Sequence, residues 1–128
     1  MFNACEQTST ITPIDDITLG ENESKNFIFD EKNIQITTLD VQESRCPENA
    51  NCIRAGEVIV TFDIEIEKQL FEDQKLCIGC QEEQSFEIGQ SSIFEYEGTD
   101  YTLELSSVLP YPHTDNVNKA KSIVFKMQ

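Results

Sequence analysis

Apolar and polar residues alternate along much of this chain, the period-two signature of strands with one buried face. Val58, Val60, Phe62, Ile64 and Ile66 fall on one side, and Ile59, Thr61, Asp63, Glu65 and Glu67 on the other. Tyr101, Leu103 and Leu105 alternate in the same way with Thr102, Glu104 and Ser106. Shorter stretches repeat the theme at Phe27-Ile28-Phe29, Ile34-Gln35-Ile36, Phe86-Glu87-Ile88, Phe94-Glu95-Tyr96 and Ile123-Val124-Phe125. Turn-rich clusters separate them, among them Asp30-Glu31-Lys32-Asn33, Gly89-Gln90-Ser91-Ser92 and Gly98-Thr99-Asp100. No window keeps apolar residues at i, i+3, i+4 and i+7 across three turns. The pattern predicts an all-β fold, an antiparallel β-sandwich or small barrel of about eight short strands. Residues 1–18 read as an N-terminal tether and 19–128 as one sandwich domain, with the first strand near Phe27 and Ile17 and Leu19 docking beside it.

Length and charge narrow the function. A chain of 128 residues has room for one domain, and folding buries roughly two thirds of its extended surface, enough for a real core. Nine basic residues against 24 acidic ones leave a net charge of −15. Phosphate backbones and anionic lipid surfaces are repelled by such a field, so no nucleic-acid partner is expected. Twelve carboxylates lie between Asp63 and Glu104, opposed only by Lys68 and Lys75. They read as solvated outer strand faces, where charge discourages edge-to-edge pairing. A Ca²⁺ site is the sharper alternative, but no D-x-[DN]-x-[DN]-G loop occurs. Lys119, Lys121 and Lys126 sit near the C-terminus, where a strand beside an acidic neighbour allows cross-strand Lys–Glu pairs.

Several chemistries lack their parts. The closest two glycines, Gly89 and Gly98, are nine positions apart, whereas phosphate-binding loops need glycines two to five apart so that backbone can approach phosphate. His113 is the only histidine and lies in the loop-like Pro110-Tyr111-Pro112-His113-Thr114, with no nucleophile motif nearby. No catalytic residue, metal ligand or cofactor is therefore assigned.

Four of the five cysteines form two close pairs, Cys46/Cys52 and Cys77/Cys80, and Cys5 stands apart. A four-cysteine zinc site usually shows a C-x2-C knuckle in both halves, and here only one half has it. Two local disulfides fit the spacing better. The polar Pro47-Glu48-Asn49-Ala50-Asn51 segment can turn the chain back to bonding distance. Cys77 and Cys80 cannot bridge across extended backbone, so they require a turn at Gly79. Disulfides imply an oxidising compartment.

Glu43-Ser44-Arg45-Cys46-Pro47, then Asn51-Cys52-Ile53-Arg54-Ala55-Gly56-Glu57, an alternating strand and a late Val108-Leu109-Pro110-Tyr111-Pro112 resemble a pattern in small bacterial envelope lipoproteins. The resemblance runs from about Leu19 to Pro112 and departs at Arg54, where that family has an aromatic residue. It implies an envelope location and a sandwich, and no activity, because the family's members are mostly uncharacterised. Ala4-Cys5 then gains a reading as a lipoprotein processing site, with Cys5 the lipidated residue and the lipid its only membrane contact.

The expected function is a monomeric, non-catalytic binding or scaffolding module of the cell envelope, with an unknown protein or small envelope ligand as its partner. Pro47, Glu48, Asn49, Ala50 and Asn51, together with Pro110, Tyr111 and Pro112, are the candidate contact surfaces. Constrained loops on a rigid sandwich lower the ordering cost of binding. The alternatives are a secreted redox or hydrolytic enzyme using Cys77/Cys80 or the acidic face, and a protease-inhibitor-like loop scaffold.

Overall fold

In the computed structural model, which describes residues 13–80, 88–115 and 119–128, the alternating segments become eight strands. These are β1 (Ile14–Gly20), β2 (Ser24–Phe29), β3 (Lys32–Glu43), β4 (Val58–Ile66), β5 (Gln69–Ile78), β6 (Ser91–Tyr96), β7 (Thr99–Leu109) and β8 (Ser122–Met127). Two antiparallel four-stranded sheets, ordered β1-β8-β7-β6 and β2-β3-β4-β5, pack face to face as a β-sandwich. The period-two pattern explains the core. Val58, Val60, Phe62, Ile64 and Ile66 of β4 are all fully buried, and so are Leu103 and Leu105 of β7 and Ile123, Phe125 and Met127 of β8. Each such side chain contributes roughly 1.5–3 kcal/mol on leaving water. Edge-to-face rings lock the layers together, with Phe62 5.3 Å from Phe125 and Phe71 5.2 Å from Phe94 between centroids.

The sandwich begins earlier than the alternation predicts. Residues 14–18 were expected in a tether, yet β1 starts at Ile14 and pairs along β8, burying Ile17 and Leu19. A register shift between Ile14 and Ile17 spaces these apolar residues unevenly and hides the strand from a period-two search. Strand β5 is hidden for the same reason. An irregularity opposite Phe62/Ile64, with Asp73 at φ 55° and its N–H donating to Asp63 Oδ1 at 2.8 Å, breaks the alternation between Phe71 and Leu76. The strand expected at Phe86-Glu87-Ile88 does not form at Ile88, while Phe86 and Glu87 lie outside the described residues, as do Cys5 and positions 1–12. Glu104 and Lys126 are register partners between β7 and β8, as the charge pattern suggested.

The two ends of the sandwich differ in character. At one end, tight two-residue turns join the strands. Asp30 and Glu31 both take positive φ, 53° and 61°, as a hairpin turn matching strand twist requires. This conformation brings Asp30 to the Tyr101 hydroxyl, which donates to Oδ2 at 2.6 Å and ties the two sheets together. Burial, then the hydrogen bond to Asp30 and the charge of that carboxylate, push the Tyr101 hydroxyl up to about 12 from an ordinary 10.0. The raised value places a stabilisation on the protonated form. It is complete below about pH 10 and is lost as pH climbs towards 12, because the unfolded chain ionises first. Tyr101→Phe is expected to cost about 1–2 kcal/mol at pH 7 and to flatten the stability loss between pH 9 and 11.5 in urea titrations. A variant as alkali-sensitive as the parent would refute the assignment.

Candidate functional site

The opposite end carries the longer connections, residues 44–57 and 110–121, and the turn after β5. Its geometry starts with a bulge. Between Thr38 and Asp40 the β3–β4 register slips by one residue, so the side chains beyond it exchange faces. Val41 and Glu43 consequently turn towards the interior, and a carboxylate reaches the end of the core. Glu43 is met by two cations. Arg45 Nη2 donates to Glu43 Oε1 at 2.6 Å and Arg45 Nε to Oε2 at 2.8 Å, a bidentate fork, while Lys121 Nζ stands 2.9 Å from Oε1. Arg45 is 9 % exposed. Its Nη2 also donates to the Val108 carbonyl at 3.0 Å, and its Cζ lies 4.6 Å from the centre of the Tyr111 ring. Lys121 Nζ donates to the Pro110 carbonyl at 3.1 Å. Burial alone raises the Glu43 carboxyl, but hydrogen bonds from Arg45 and then Lys121 outweigh it and hold the group below its ordinary 4.5.

This cluster fixes the two surfaces named from sequence, and the structure brings them together. The Glu48 N–H donates to the Pro112 carbonyl at 2.9 Å. Asn49 Nδ2 donates to Thr114 Oγ1 at 2.6 Å, and the Thr114 N–H donates back to Asn49 Oδ1 at 3.1 Å. The Ala50 N–H returns to the Pro47 carbonyl at 3.0 Å, so the Cys46–Cys52 loop is a closed turn with its cysteine Cα atoms 5.9 Å apart. Cys77 and Cys80 are also bridged, at the same Cα separation, around Gly79 at φ +97°. The turn anticipated there is present.

Past the first bridge the chain runs back along β3. Ser44 N–H donates to the Glu57 carbonyl at 2.8 Å and Cys46 N–H to the Ala55 carbonyl at 2.6 Å. Gly56 lies between these bonds at φ +80°, and a Cβ there would stand 2.0 Å from the Ser44 carbonyl oxygen. Gly79 packs on the same spot, its own Cβ position 2.7 Å from the Gly56 carbonyl oxygen. The two disulfide loops therefore share one corner, and only glycine fits at the contact.

What this end offers to solvent is a shallow concavity of about 660 Å³ whose rim includes Pro47, Asn51, Ile53, Arg54 and Tyr111. Ile53 stands fully out of the surface at 105 % relative exposure, and Tyr111 and Leu109 are exposed too. Arg54 leans on Glu57, with Nη2 2.8 Å from Oε1. His113 belongs to the outer loop, where its Nδ1 accepts from the Asp115 N–H at 3.1 Å. A second hollow, of about 480 Å³, lies on the outer face of the other end between Asn26, Ile28, Gln35 and Glu65, away from both disulfides. Among the described residues no group of three or more His, Cys, Asp or Glu side chains converges as a metal site would require.

Sequence reasoning singled out the loops and missed their anchor. Glu43 and Arg45 stood inside the Glu43–Pro47 motif without a role, and Lys121 was expected to pair across a strand. Comparisons with protein-family models, with curated proteins and with solved structures return no match.

Proposed function

We propose that this chain is the folded part of a cell-envelope lipoprotein, anchored through a lipid on Cys5, and that it acts as a non-catalytic binding module through its long-loop end. The observation that carries the reading is the direct bonding of the Cys46–Cys52 loop to the Pro110–Thr114 segment, which makes one rigid surface from two separate stretches of chain. Rigid loops lose little entropy on binding, and exposed Ile53 and Tyr111 supply the kind of apolar and aromatic contacts that dominate interfaces. The two disulfides favour an oxidising compartment. Strand β1 runs from Ile14 towards the long-loop end, where Gly20 pairs with Ser122.

Photo-crosslinking in intact cells tests this. A photoreactive side chain placed at position 53 or 111 of the full-length protein is expected to give a discrete adduct. The same probe at Ile28 or Leu70, exposed on the outer face of the β2–β5 sheet, should give none. Equal labelling from both places, or none from residues 53 and 111, would overturn the reading.

A further inference from the structure

The segment Cys52-Ile53-Arg54-Ala55 has the construction of a protease-inhibitory loop, and we infer that its partner is a serine protease of trypsin-like specificity, with Arg54 entering the S1 pocket and the Arg54–Ala55 peptide bond lying across the catalytic serine. The inference rests on the binding-module reading above and gives that surface an occupant.

Three observations support it. The first is presentation. Ile53 is wholly exposed, and the Arg54 side chain is 50 % exposed beside it, so the segment protrudes and ends in a cation. An S1 pocket floored by a carboxylate selects such a side chain. Arg54 pairs with Glu57, whose side chain is only 13 % exposed, so entry into the pocket exchanges that partner for the carboxylate at the pocket floor.

The second observation is that both flanks of the Arg54–Ala55 bond are tied to the same residue. On the N-terminal side Cys52 is bridged to Cys46, and on the C-terminal side the Ala55 carbonyl accepts the Cys46 N–H at 2.6 Å. The Ser44–Glu57 bond at 2.8 Å and the close approach at Gly56 extend the second tie. Cys46 follows Arg45, which is held in the buried ion cluster. A protease serine that adds to the Arg54 carbonyl carbon forms an acyl ester and releases the Ala55 amine, which takes up the proton. In an ordinary substrate that amine diffuses away. Here it stays within reach, attacks the ester, restores the peptide bond and returns the serine hydroxyl. Water reaches the ester rarely, and the net result is a bound complex instead of turnover.

The third is residue size around the bond. Ala55 and Gly56 follow Arg54, so no bulky side chain obstructs the leaving-group side of a protease cleft. Pro47 and Tyr111 flank the segment across the concavity and widen the contact, as an interface of about 800 Å² per partner needs.

Trypsin is the probe. The intact protein is expected to inhibit it at near-stoichiometric concentration, with slow accumulation of a single nick between residues 54 and 55 whose two pieces stay associated through the sheet pairing and the Cys46–Ala55 and Ser44–Glu57 hydrogen bonds and separate only in denaturant. Arg54→Lys should retain inhibition, Arg54→Ala should weaken it at least 100-fold, and Arg54→Leu should move it towards chymotrypsin. Position 54 is exposed, so circular dichroism of these variants should match the parent. Rapid complete cleavage at Arg54, absence of any effect on trypsin, or inhibition indifferent to Arg54→Ala would each overturn the inference. End-specific adducts from residues 53 and 111, seen together with any of those outcomes, would leave the binding-module reading standing and remove only the protease.

Discussion

Gly56→Ala is expected to be among the most damaging single substitutions in this protein, costing about 3–5 kcal/mol and lowering the melting temperature by roughly 10–20 °C. Two penalties coincide. The residue sits at φ +80°, where a Cβ is strained, and that Cβ would stand 2.0 Å from the Ser44 carbonyl oxygen. The oxygen belongs to backbone tied by the Ser44–Glu57 and Cys46–Ala55 hydrogen bonds, so it cannot move aside without breaking the pairing that holds both disulfide loops. Gly98 separates the two penalties. It has a similar φ of +83° with nothing within 4 Å of its Cβ position, so Gly98→Ala should cost only about 1–2 kcal/mol. Urea denaturation of the two variants side by side measures the difference. If Gly56→Ala proved no worse than Gly98→Ala, the close approach would not be limiting.

Arg45→Met is the second large effect. It removes the forked donor from Glu43, leaves the Val108 carbonyl without its 3.0 Å partner and takes the cation from the Tyr111 ring. Breaking one side of a buried ion pair typically costs about 3–5 kcal/mol, and retention of Lys121 at 2.9 Å should keep the loss near 2–4. Arg45→Lys restores the charge without the fork and is expected to recover less than half. The pH dependence identifies the cause. Because the folded state holds Glu43 below its ordinary 4.5, the stabilisation is full above about pH 4.5 and is lost as pH falls through the lower folded value. The gap between parent and Arg45→Met should therefore be widest near pH 7 and shrink towards pH 3. A gap independent of pH would mean that Arg45 acts by packing alone.

How much of this was legible in advance depends on the distance over which each feature is decided. The β4 and β7 strands, the all-β fold and the two disulfide pairs follow from period-two alternation and from spacing within a few residues, and those are properties of the chain itself. Strands β1 and β5 escaped because a bulge changes the phase of alternation, and nothing local marks where a bulge falls. Cys46 and Cys52 announced a loop, and Pro110-Tyr111-Pro112 announced another, but their union through Glu48, Asn49 and Thr114 depends on sheet packing that brings residues more than 60 positions apart into contact. Glu43 shows the difference most clearly. By alternation it is one more acidic residue on a solvated face, and the slip at Thr38/Asp40 turns it inward to meet Arg45 and Lys121. Sequence alone determined that strands would form, which residues they would bury, and which cysteines were near enough to bridge. Tertiary structure decided which charges pair and which loops become one surface, because both depend on strand phase and inter-sheet register, and those are set by the packing of the whole core.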